Sequence, residues 1–96
     1  MSERFEWDPR KAAANLSKHG VSFDEAKGAF YDDHGLVIAD PDHSEDENRF
    51  VLLGASLSGR LLVVVHAIRE DDAIRIISAR KATKRERTFY GAGSRQ

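Results

Sequence analysis

The stretch that most limits what this chain can fold into is RLLVVVHAIREDDAIRIISARK, running from Arg60 to Lys81. Two β-branched apolar runs flank the polar segment EDDA, the pattern of an antiparallel hairpin built from buried strands. With the turn centred on Asp71 and Asp72, Glu70 faces Ala73, Arg69 faces Ile74, His66 faces Ile77, Val64 faces Ala79 and Leu62 faces Lys81. Side chains alternate across a strand. One face then carries Val63, Val65, Ala67, Ile74, Ile76 and Ser78, and is the expected core. The other carries Arg60, His66, Arg75 and Lys81 among Leu62, Val64 and Ile77, a mixed basic face suited to phosphate. Arg80 falls at the end of the core face and is expected to emerge at the sheet rim.

The remaining segments supply layers for this hairpin. RFEWD alternates around Phe5 and Trp7 and reads as a short first strand. In DPRKAAANLSKHG, Asp8 is an N-cap, Pro9 sits at N1 and Gly20 takes the C′ position of a first helix. VSFDEAKGAFYDD opens with a Ser22–Glu25 capping box, and Val21 with Ala26 makes a hydrophobic staple for a second helix. GLVIADPD and RFVLLGAS read as strands separated by the acidic turn HSEDEN. Thr83 and Glu86 form another capping box, opening a short last helix closed by Gly91. The order β-α-α-β-β-β-β-α predicts an α+β fold: a small antiparallel sheet, two N-terminal helices on one face and a short C-terminal helix. One domain spans 1–90, and 91–96 is expected to be a flexible tail.

A chain of 96 residues with 41% hydrophobic and 32% charged residues has the profile of a single soluble domain. It has no cysteine, which excludes a disulfide framework, a zinc-thiolate site and a cysteine nucleophile. The longest apolar run, Leu61 to Val65, is far too short to span a bilayer, and a cytoplasmic location is expected. The net charge of −1 hides a dipolar chain. Nine acids against Lys27 lie between Asp24 and Glu47, and seven bases against Glu86 lie between Arg75 and Gln96. A basic end of this kind can attract a polyanion.

No Gly-rich phosphate loop, nucleophile elbow, dinucleotide fingerprint or HExxH pattern is present, and DPDHSEDE lacks the central glycine of a calcium loop. No cofactor or metal is expected. What remains is Arg, Lys, His and Tyr, a set suited to cleaving RNA by attack of the 2′-OH on the adjacent phosphorus. Arg and Lys can stabilise charge developing on the phosphate, and Lys, His or Tyr can move the proton. The same set suits plain RNA or DNA binding, and spacing does not separate the two. The mixed face puts forward His66 and Lys81 for catalysis and Arg60 and Arg75 for substrate binding, with Lys84 and Arg85 of the basic end beside them.

Two blocks, WDPRKAAANLSKHGVSF and IRIISARKATKRER, give the chain a resemblance from Phe5 to Tyr90 to the BrnT family of type II toxin–antitoxin systems. The positions that match are Lys18 and His19 in KHG, Arg49, Arg80 and Lys81 in SARK, Glu86 and Tyr90; the resemblance implies that Arg80, Lys81 and Tyr90 are catalytic and that Arg49, Lys18 and His19 bind substrate. The resemblance implies a RelE-like fold and a metal-independent ribonuclease toxin that inhibits translation. It also implies neutralisation by a BrnA-type ribbon-helix-helix antitoxin, with operator DNA bound only through that complex. The competing expectation is a catalytically weak or inactive RNA- or antitoxin-binding module that acts in autoregulation of its operon.

Overall fold

The computed structural model describes residues 4–43 and 48–93. The elements, in chain order, are β1 (Phe5–Glu6), α1 (Pro9–His19), α2 (Phe23–Gly28), β2 (Leu36–Ala39), β3 (Arg49–Ala55), β4 (Leu61–Ile68), β5 (Ile74–Lys81) and α3 (Lys84–Gly93). Single 3-10 turns, Ala29–Tyr31 and Pro41–His43, follow α2 and β2. One five-stranded sheet has the order β1-β5-β4-β3-β2. The fold is α+β as expected, but the sheet is mixed: β1 joins β5 in parallel, and the other pairs are antiparallel.

The local signals act as the sequence predicts. Asp8 accepts from the Arg10 amide at 2.9 Å, Pro9 opens α1, and Gly20 at φ 69° ends it with its N–H on the Leu16 carbonyl. Ser22 caps α2 through the Glu25 amide at 3.0 Å, but the expected capping box is only half made, because the Glu25 carboxylate turns to Arg60, Ser56 and Ser58. Val21 and Ala26, the staple pair, are both wholly buried in one cluster with Phe23 and Ala29. Gly54 in β3 lets this layer approach the sheet, since a Cβ there would lie 2.8 Å from the Ala29 carbonyl oxygen. At the other end α3 runs to Gly93, past the expected stop at Gly91. The tail residues 94–96 and the acidic-turn residues 44–47 lie outside the described residues.

The hairpin corrects the face assignment. Leu62 pairs with Lys81 and Val64 with Ala79 as expected, but a bulge follows Val65, and His66 pairs with Ile76 instead of Ile77. The core against the helices is made by Leu62, Val64, Ile76 and Ala79 with Leu52. Val63, Val65, Ser78 and Arg80 occupy the opposite face. The two faces are therefore exchanged relative to the sequence expectation for Val63, Val65 and Ser78, while the bulge returns Ile74 and Ile76 to the helix side. The cause is that β4 is apolar on both faces: Val63 and Val64 are both buried, so the strand carries no alternation to read. On the open face, a second cluster of Leu53, Val63 and Ala82 is covered by Tyr90 of α3.

His66 is the principal casualty of the exchange. It is 3% exposed, lies edge-on to Phe30 at 4.8 Å and stacks on Phe50 at 6.0 Å, with Nδ1 3.2 Å from the Val64 carbonyl. Burial lowers its pKa below 6.5 and keeps the ring neutral.

Asn15 joins α1 to β5. Its Nδ2 donates to the carbonyls of Ala79 at 2.8 Å and Val21 at 2.9 Å, and its Oδ1 accepts from the Ala79 amide at 3.1 Å. β1 reaches only Ile74 and Arg75, so the side-chain amide of Asn15 continues the missing strand at Ala79. Asn15→Ala leaves three buried backbone groups without a partner and is expected to cost about 2–4 kcal/mol. Urea denaturation checks this as a lower midpoint with an unchanged m value.

Candidate active site

Five segments converge on the open sheet face: the end of α1, the turn after β2, the start of β3, the end of β5 and the first turn of α3. Between them lies a cleft of about 520 Å³. Its apolar floor is Val51, Val63 and Val65, and its polar walls are His19, Asp40, His43, Arg49, Arg80 and Glu86.

On one wall Asp40 is 5% exposed and organises the turn after β2. Its carboxylate accepts from Arg49 Nε at 3.0 Å and the Asp42 amide at 3.0 Å, and lies 3.3 Å from His43 Nδ1. Burial pushes the Asp40 pKa up, but the hydrogen bonds from Asp42, Arg49 and His43 outweigh it and hold the carboxyl below the ordinary 3.8. Arg49 is thus fixed through Nε, while its two terminal nitrogens are unengaged among the described residues.

On the other wall Glu86 grips Arg80 with two parallel bonds, Nη1 to Oε1 at 2.8 Å and Nη2 to Oε2 at 2.9 Å. The same Oε1 accepts the Thr83 amide at 2.8 Å, and Thr83 Oγ1 accepts the Glu86 amide at 3.1 Å, closing the expected capping box. Glu86 therefore joins the helix cap to the guanidinium. Arg80 bound to it, with the cap, draws its pKa down to about 2, and Arg80 is raised in turn. Arg80 also donates from Nη1 to the Lys81 carbonyl at 3.2 Å. Its Nε–H and one Nη2 proton form an edge of the guanidinium that is unengaged among the described residues. Each cleft arginine is held by a carboxylate and keeps an N–H pair that no described residue engages.

The other candidates are dispersed. Tyr90 OH donates to Asp32 Oδ2 at 2.6 Å, and that bond raises its pKa to about 12. Asp32 also accepts the Ala55 and His34 amides, so Tyr90 anchors α3 to the sheet end. Arg60 is bound through Nε to Glu25 at 2.8 Å and through Nη2 to the other oxygen of Glu25 and to the Gly20 carbonyl at 3.0 Å. Ser56 and Ser58 complete that cluster, in which Glu25 falls to about 2, chiefly through Arg60. Arg75 pairs with Glu6 at 3.0 Å on the far side of the open face. Lys18, Lys81, Lys84 and Arg85 are exposed.

The structure thus brings together Arg80, Arg49 and His19 of the sequence candidates. It adds Asp40, His43 and Glu86. Asp40 and His43 looked like part of a solvated acidic turn, and only the spacing Asp40–Asp42–His43 ahead of Arg49 carried a signal. Glu86 was legible as a cap, and its hold on Arg80 depends on the angle between β5 and α3.

Fold and cleft define a class: a small α+β protein with paired guanidiniums and imidazoles on one open sheet face. The family model described as "Ribonuclease toxin, BrnT, of type II toxin-antitoxin system" matches residues 7–86, and the chain belongs to that family. The chain is similar to a solved structure, the 1.1 Å crystal structure of the Brucella abortus ribonuclease toxin BrnT. The TM-score is 0.68 at 20% identity, covering 86% of this chain and 100% of that one. No curated protein sequence matches the chain.

Two outcomes follow from these placements. Because folded His66 is neutral and its pKa is lowered, the unfolded chain binds the extra proton. Stability from this residue is complete above about 6.5 and is lost as pH falls below it, at up to about 1.4 kcal/mol per unit. Glu25 and Glu86, lowered from 4.5, lose their contributions only in more acidic solution. His66→Phe should flatten the stability profile below about pH 6.5, as read by denaturation at each pH. Tyr90→Phe removes the bond to Asp32 and is expected to cost about 1–2 kcal/mol, measured as a drop in Tm.

Proposed function

We propose that this chain is an endoribonuclease toxin that cleaves RNA by attack of a 2′-OH on the neighbouring phosphate, without a metal ion. The observation that supports it best is the pair of half-engaged guanidiniums, Arg49 and Arg80, on opposite walls of the cleft. Carboxylates hold each arginine in place beforehand, and their open N–H groups suit the oxygens of a phosphorane as charge builds. His19 and His43, in the same cleft, are assigned the proton transfers: one takes the 2′-OH proton, the other protonates the departing 5′-oxygen. The products are a 2′,3′-cyclic phosphate and a 5′-OH. Lys18, Lys81, Lys84 and Arg85 are assigned the flanking RNA backbone, where exposed cations act through screened attraction. His66 and Tyr90 take no part in this scheme. In the cytoplasm such an activity would block translation until a protein antitoxin of the ribbon-helix-helix type binds.

The test is cleavage of bulk RNA by the purified chain, with and without EDTA. Activity should be unchanged by EDTA. It should fall about 10²–10³-fold in Arg80→Ala and about 10²–10⁴-fold in His19→Ala or His43→Ala. The His66→Phe variant should cleave like the parent. Loss of activity in EDTA contradicts the metal-free scheme. A folded parent that cleaves no RNA, yet still binds its antitoxin, identifies a binding module instead.

A further inference from the structure

β2, four residues long, is the outermost strand on its side of the sheet, and no other described element pairs with its free edge. Edge strands are ordinarily protected by lysine, proline, a bulge or inward charges. β2 reads LVIA, with Val37 55% and Ile38 56% exposed. The ladder fixes which backbone groups are open. The Asp40 amide donates to the Arg49 carbonyl, and β2 pairs antiparallel with β3 through Ile38–Val51 and Leu36–Leu53. Alternation then turns the N–H and C=O groups of Val37 and Ala39 outward. Acids stand at both ends of the strand: Asp33 before it and Asp42 after it, both exposed, with Glu45, Asp46 and Glu47 following in sequence.

We infer that β2 takes up an extended strand with basic flanks from the protein antitoxin, by edge addition to the sheet. This rests on the family membership and the toxin reading that goes with it. A second copy of this chain fits poorly. An antiparallel β2–β2 pair would set Asp33 of one copy against the Asp42 end of the other, with like charges at both ends. A basic partner strand meets the same acids as complements. The location also matters: Ile38 lines the cleft, and Asp40, the next residue but one, holds Arg49. An added strand would run along the cleft mouth.

The probe is the protein encoded by the reading frame adjacent to this chain's own, titrated against the purified full chain. Val37→Pro deletes an outward N–H without touching the β3 ladder. It should weaken the complex at least about 100-fold while leaving RNA cleavage by the free chain unchanged. Asp33→Lys should weaken it at least about tenfold and reduce its salt dependence. Hydrogen exchange on the unmutated complex should show slowed Val37 and Ala39 amides. Binding of Val37→Pro within threefold of the parent, unprotected β2 amides in the complex, or failure of the parent to bind the probe overturns the inference. So does a free chain that dimerises with those amides protected. RNA cleavage is scored separately on the free chain: an inactive parent that still binds through β2 defeats the ribonuclease reading alone.

Discussion

The side-chain amide of Asn15 is the contact on which the rest of this architecture depends. β1 is too short to cover β5 beyond Arg75, which would leave the Ala79 backbone unpaired under the helices. Asn15 supplies both a donor and an acceptor there, as a neighbouring strand would, and its second N–H holds the Val21 carbonyl just past the helix end. Three bonds thus fix α1, the α1–α2 link and β5 together in a dry environment, where each missing partner is costly. Two positions of the proposed site inherit that precision. Arg80 follows Ala79 directly, and His19 lies one helical turn beyond Asn15.

The cleft arginines show a related economy of parts. A free guanidinium on a flexible stem loses side-chain entropy when it binds phosphate. Here Glu86 and Asp40 have already imposed that order, each through an edge that leaves other N–H groups open. The carboxylates also keep the cleft from becoming a generic polyanion trap, since each cation arrives with its own counter-charge. Cations farther out, Lys81, Lys84 and Arg85, carry none among the described residues, and they suit long-range attraction rather than orientation.

Elements announced by caps and turns were legible from the chain alone. Pro9, Gly20, Ser22 with Glu25 and Thr83 with Glu86 each act through bonds within a few residues, so their meaning survives without tertiary context. The faces of the central hairpin were not legible. LLVVV is buried on both sides, and the bulge after Val65 changes parity halfway along β5. That one ambiguity moved His66 from the expected ligand face into an aromatic sandwich, and Arg80 from a rim to a wall of the cleft. Arg60 and Tyr90 were hidden for another reason. Their partners, Glu25 and Asp32, are far away in sequence and gave no local sign of pairing.

The charges at the start of α3 show how the fold and the site constrain one another. Lys84 and Arg85 stand in the first turn, where the helix dipole disfavours cations by about 0.3–1 kcal/mol each. The only acid in that turn is Glu86, and Arg80 already engages both of its oxygens. A helix selected for stability alone would place acids at these positions, and the chain has many acids elsewhere. A phosphate chain lying across the cleft mouth would reverse the sign of the penalty, because its charge suits both the cations and the helix N-terminus. The cost in the free protein is comparable to what the Tyr90–Asp32 bond contributes, so that bond, with the packing of Tyr90 on the cluster that includes Ala82, holds α3 in place despite an N-terminus that, on the proposed reading, suits a ligand better than the helix itself.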